Sequence, residues 1–150
     1  MLQRKQTVFL SLAFILTLVC MCLPLGSFEP NGMGVDSQMY NLWIVNNGKH
    51  DYTVAGLFLV LLVSCPLNLT AIMSFKNRIY QSRLCLMNIF LQIAWYVVYV
   101  ISVKLAGHSD ATYHVAVASC FPLISLILYI MARKAILADE KLVRAADRIR

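Results

Sequence analysis

Four stretches of this chain, 7–25, 53–75, 84–103 and 113–132, contain no Asp, Glu, Lys or Arg and run for 19, 23, 20 and 20 residues. An α-helix rises about 1.5 Å per residue, so about 20 apolar residues cross a hydrocarbon core of about 30 Å. A core helix of a soluble domain would be shorter and would carry a polar stripe. Hydrophobic residues make up 60% of the chain, against roughly 45–50% in soluble domains, and so point the same way. The expected fold is an all-α integral membrane protein, with residues 1–150 forming a single domain of four transmembrane helices. The first stretch follows a basic start, as a secretory signal does. It is longer than the about 7–15 residues of a signal core, and Pro24-Leu25-Gly26-Ser27 offers no small-x-small cleavage pair. It is therefore expected to remain as a span.

The net charge of +6 suggests nucleic acid until the charges are placed. Linkers on alternate sides of four spans divide the 13 basic residues into 11 and two. The first group is Arg4, Lys5, Lys76, Arg78, Arg83, Arg133, Lys134, Lys141, Arg144, Arg148 and Arg150, and the second is Lys49 and Lys104. Lys and Arg concentrate in cytoplasmic segments, so both termini are expected in the cytoplasm and the protein in a bacterial inner membrane. The charge is a topology signal, and no nucleic-acid partner is expected. Juxtamembrane cations orient helices and meet anionic lipid headgroups.

The long connection 26–52 is expected to carry a small outer β-hairpin. Asn46-Asn47-Gly48-Lys49 has the residues that accept the positive φ of a tight hairpin turn, and 39–45 is rich in β-formers. The expected strands are 39–45 and 50–54. Trp43 and Tyr40 suit the headgroup level, where amphipathic rings collect.

Nothing points to catalysis. No HExxH, P-loop or GxSxG motif occurs, and His50, His108 and His114 lack the i, i+3 or i, i+4 spacing of paired metal ligands. No metal, cofactor or enzymatic activity is expected. A membrane thiol oxidoreductase needs paired outer cysteines, whereas Cys20, Cys22, Cys65, Cys85 and Cys120 all fall within the four stretches. A small transporter or channel component is the alternative with an activity, although no ionisable side chain lies deep in a span for proton coupling. Asn68, Asn88 and Gln92 are the polar residues available there. Asn88 and Gln92 share a helix face. Asn68 and Gln92 lie 7 and 8 residues from the span ends at Phe75 and Leu84, which predicts a hydrogen bond between them across two helices. Pro66 and Pro122 are expected to bend their helices.

The last segment, 133–150, continues the fourth span without Pro or Gly and reads as a cytoplasmic amphipathic helix. Ala138, Leu142, Ala145 and Ile149 form an apolar stripe, Lys134, Lys141 and Arg148 recur every seven residues, and Glu140 and Arg144 make an i, i+4 pair. Such a helix lies on the inner leaflet or pairs with another chain. The opening MLQRKQTVFL, the loop FKNRIYQSRLCLMNI and the ending DEKLVRAADRIR together resemble a family of small inner-membrane proteins of Bacteroidota, catalogued as domain of unknown function 4293. The resemblance implies four spans and no activity. All three motifs face the cytoplasm in the expected topology. The function expected is therefore a non-enzymatic interaction or assembly role, in which Arg4, Lys5, Lys76, Arg78, Arg83 and the tail, with Lys134, Lys141, Arg144 and Arg148, meet anionic lipid, another copy, or a membrane or cytoplasmic protein.

Overall fold

The structure, a computed structural model, describes residues 2–30, 36–46, 48–75, 77–106 and 111–147. It is mostly helical: α1 (Leu2–Cys22), α2 (Ala55–Met73), α3 (Arg78–Ala106) and α4 (Phe121–Asp147) pack side by side. Helices α2, α3 and α4 are long and apolar enough to cross a membrane, while the apolar part of α1 is the shorter Gln6–Cys22. Five short strands form one antiparallel sheet: β1 (Gly26–Pro30), β2 (Ser37–Met39), β3 (Ile44–Asn46), β4 (Lys49–Asp51) and β5 (Ala111–Val115), in the order β4-β3-β2-β1-β5.

The sheet replaces the lone hairpin expected from sequence. Its turn falls where expected, with Asn46 opposite Lys49 and Gly48 at φ 74°. The strands on either side are shorter than 39–45 and 50–54, because 40–43 leave the ladder in a turn closed by Tyr40 N donating to Trp43 O at 2.9 Å. The stretch 113–132 is not one helix. Its first residues form β5, which pairs with β1 from Gly26↔Val115 to Pro30↔Ala111. A 3-10 turn, Val117–Cys120, then leads into α4. Pro122 is thus the second residue of α4, where a missing N–H costs nothing, and it does not bend the helix interior. Pro66 does lie inside α2. The span 7–25 is also cut short: α1 stops at Cys22, just before Pro24, which cannot donate. Helix α3 runs beyond 84–103 at both ends, and α4 continues without a break through the tail to Asp147.

Because β1 pairs with β5, the α1–α2 and α3–α4 connections lie at one end of the helices, and the other end carries the α2–α3 loop and the tail. In each helix a row of buried positions recurs at alternating intervals of three and four, flanked by a few others such as Ser82, Leu84 and Leu128. The row is Gln6, Leu10, Ala13, Thr17 and Cys20 in α1, and Leu57, Leu61, Ser64, Asn68 and Ala71 in α2. Helix α3 buries Gln81, Cys85, Asn88, Gln92, Trp95, Tyr99 and Ser102 in the same rhythm, and α4 buries Ser125, Tyr129, Ala132, Ile136 and Asp139. This 3.5-residue period is that of helices packed knobs-into-holes. The inward seams are rich in small and polar residues. Val8, Ile15, Leu59, Phe90, Val97 and Ile127 are exposed on the opposite faces.

Asn41, in the turn between β2 and β3, closes the sheet end. Its fully buried side chain donates to Cys20 O at 2.6 Å and accepts from Trp95 Nε1 at 3.1 Å, and its backbone carbonyl accepts from Phe58 N at 3.2 Å. Cys20 O is one of the last carbonyls of α1, which have no partner within the helix, so one asparagine ties α1, α2 and α3 to the sheet. Asn41→Ala leaves the Trp95 indole and the Cys20 carbonyl buried without partners, a loss of about 1–3 kcal/mol. Thermal unfolding in detergent should show a Tm several degrees lower than for the exposed-site control Asn46→Ala.

Candidate functional site

Two apolar clusters fill the helical body. One lies at the sheet end around Leu57, Leu61, Trp95 and Tyr99, and the other lies toward the opposite end around Leu10, Cys85, Tyr129 and Ile136. Between them each helix contributes polar side chains: Thr17, Ser64 and Asn68, Asn88 and Gln92, and Ser125. Buried polar groups need partners, and most of these have them. Asn68 Nδ2 donates to the Tyr129 hydroxyl at 2.8 Å and to Leu10 O at 3.3 Å. Ser64 Oγ donates to Asn88 Oδ1 at 2.8 Å, and Asn88 Nδ2 donates to Leu84 O at 3.1 Å. Thr17 and Ser125 both donate to Ala13 O. The network joins all four helices.

The Asn68–Gln92 bond expected from sequence is not formed. Gln81 Nε2 donates to Ala71 O and Ser64 donates to Asn88, two contacts that set the antiparallel register of α2 and α3. Counting from them, Asn68 lies level with Leu84, so Gln92 sits eight residues farther along, about 12 Å away. The expectation erred by aligning the span ends at Phe75 and Leu84, whereas α3 begins at Arg78. Gln92 is fully buried and neither atom of its carboxamide has a partner among the described residues. Asn68 Oδ1 is likewise unbonded. Tyr129, Thr17 and Ser64 were not singled out from sequence, although their place in the three-four rhythm marks them.

At the opposite end, the expected cationic residues separate into engaged and free groups. Arg78 Nη1 lies 3.2 Å from Asp139 Oδ2 and donates to Asp139 O at 3.3 Å, binding the start of α3 to the tail part of α4. Asp139 is 7% exposed, and its burial makes this the ion pair costliest to break by removing one partner. Arg144 Nε meets Glu140 Oε1 at 2.9 Å, the i, i+4 pair read from the sequence. Arg83, Lys134 and Lys141 are exposed. Lys76, Arg148 and the side chains of Arg4 and Lys5 lie outside the described residues. Ala138, Leu142 and Ala145 are exposed, so the tail's apolar stripe is not its packed face; Ile136 and Asp139 are.

At the sheet end, Trp43 packs against Tyr40, His50 and Tyr52, with ring centroids 6.2, 5.3 and 6.4 Å away. Burial, and then the neighbouring Tyr99 hydroxyl at 2.8 Å, push the Tyr113 phenol up from its ordinary pKa. The Thr53 hydroxyl and backbone N–H hold the Asp51 carboxyl below its ordinary value.

Tyr129→Phe removes the hydroxyl that Asn68 bonds, and interhelical bonds of this kind contribute about 0.6–2 kcal/mol. Gln92→Leu removes a carboxamide without protein partners. Detergent unfolding should therefore show Tyr129→Phe destabilised and Gln92→Leu as stable as the parent or more so.

No curated protein matches the chain. The model of the family described as Domain of unknown function (DUF4293) matches residues 2–149, nearly its full length, and the chain belongs to that family.

Proposed function

We propose that the chain is an integral membrane protein of the bacterial inner membrane, a four-helix bundle with both termini in the cytoplasm and the sheet outside. On this reading it is not an enzyme and acts as an interaction or assembly protein through its basic inner end. One arrangement carries the reading: a belt of exposed apolar residues surrounds all four helices, and cations collect at the end opposite the sheet. At most a third of each long helix's apolar window is buried, 28% in α2, 33% in α3 and 28% in α4. In water that exposed surface would be a severe aggregation hazard; in lipid it is the ordinary surface of a span. The shorter α1, with its apolar part at Gln6–Cys22, matches the lower limit of about 17 residues for a spanning helix.

The tail is the part proposed to meet a protein. It projects as the end of α4, carries exposed Lys134 and Lys141, and shows the unpacked stripe of Ala138, Leu142 and Ala145. A second reading, as a small transporter or channel component, is favoured by the polar interior and by the unbonded carboxamide of Gln92. The two readings separate experimentally. Photo-crosslinking residues placed at 134 and 141 in native membranes should give protein adducts that vanish on deletion of 138–150, with the truncated chain still resistant to carbonate extraction. Unchanged adducts, or none, would remove that role from the tail. Solute flux in reconstituted vesicles that responds to Asn68 or Gln92 substitution would favour transport.

A further inference from the structure

A cleft of about 670 Å³ opens at the basic end, bordered by Phe75, Asn77, Arg78, Tyr80, Arg83 and Glu140. Two of its charges are already engaged, Arg78 with Asp139 and Glu140 with Arg144. Arg83 is exposed and makes no ion pair among the described residues. The cleft therefore offers the guanidinium of Arg83, without an ion-pair partner among the described residues, in a lining it shares with Tyr80 and Asn77. A second cleft, of about 660 Å³, runs along the outward seam of α1 and α2, walled chiefly by Val8, Leu12, Ile15 and Ile72. Phe75, in the turn after α2, lines both clefts.

With Phe75 between them, the two clefts offer a cationic mouth at Arg83 and an open apolar groove along α1 from Thr7 to Ile15, about 12 Å. We propose that together they bind one anionic phospholipid, with the phosphate at Arg83 and an acyl chain along the α1–α2 seam. This inference rests on the membrane reading above. Guanidinium matches phosphate oxygens in bidentate geometry, which supplies the charge complementarity, and the seam supplies the apolar surface. A helix from another chain fits the seam less well, because membrane helices approach closely through small residues, whereas these walls, apart from Thr7, Ser11 and Phe75, are branched aliphatics.

The test is native mass spectrometry of the full chain in mild detergent, titrated with phosphatidylglycerol or phosphatidylcholine. One phosphatidylglycerol per chain should be retained roughly tenfold more tightly than phosphatidylcholine, the scale of one charge-assisted hydrogen bond. Arg83→Gln should reduce retention to the phosphatidylcholine level, Arg83→Lys should keep part of it, and Ile15→Trp, which fills the seam, should weaken both lipids. Equal retention of the two lipids, or unchanged retention by Arg83→Gln, would overturn the proposal. Binding of soluble glycerol 3-phosphate as tightly as the lipid would overturn it too, because the seam would then contribute nothing. Carbonate extraction of the parent chain reads the membrane assignment separately. A chain that resists extraction but shows no lipid preference loses this proposal alone; a chain released by carbonate loses both.

Discussion

The four helices face one another through seams that mix small and polar residues with a few bulky ones, and they leave most of their bulky aliphatic side chains on the outside; the rest of the structure depends on that arrangement. In water the hydrophobic effect would drive Val8, Leu59, Phe90 and Ile127 inward. With those residues outside, cohesion rests on an interior where Leu10, Leu57, Leu61, Trp95 and Ile136 pack among the small Ala13, Ser64, Ala71 and Ala132, and on hydrogen bonds among buried polar groups, forces that also hold helices together in lipid. The Tyr129–Asn68 and Ser64–Asn88 bonds link helices that apolar burial alone would leave free to slide. Gln81 against Ala71 and Arg78 against Asp139 repeat the device at the basic end.

The sheet adds a constraint of a different kind. Pairing of β1 with β5 joins connections distant in sequence, and Asn41 reaches from the sheet into the helical body to meet the end of α1 and the indole of Trp95. Gly26 shows how closely β1 and β5 approach: a Cβ there would clash with the Tyr113 hydroxyl and with His114 O. Sheet and helices thus share one packed core, with Leu25, Phe28, Met39 and Ile44 joining Leu57 and Trp95. Among the described residues the basic end has no such cover, and its clefts are open.

Much of this was legible in the sequence because it depends on local chemistry. Uncharged runs of about 20 residues announced the helices, Asn-Gly placed the β3–β4 turn, and the spacing of Glu140 and Arg144 gave their ion pair. Other features depended on distant partners. Tyr113, His114 and Val115 suit a strand or a span equally well, and only β1 decides between them. The inward faces were hidden because nearly every residue of each helix is apolar; the guide is where small and polar residues recur, as Thr17, Ser64, Asn88 and Ser125 do, and not where apolar ones recur. The same blindness to register misplaced Asn68 against Gln92. Asn41 looked like one residue of a strand, since nothing local to it reveals a buried carbonyl waiting at the end of α1.

Sided labelling tests the central claim most directly. Single cysteines at Thr53 and at Lys141, in an otherwise cysteine-free chain, are treated in intact cells with a membrane-impermeant maleimide and again after the membrane is opened. The account predicts that position 53 reacts from outside and position 141 only after opening, which would place the sheet and the basic tail on opposite faces of one bilayer. Reaction of both positions from the same side would contradict it.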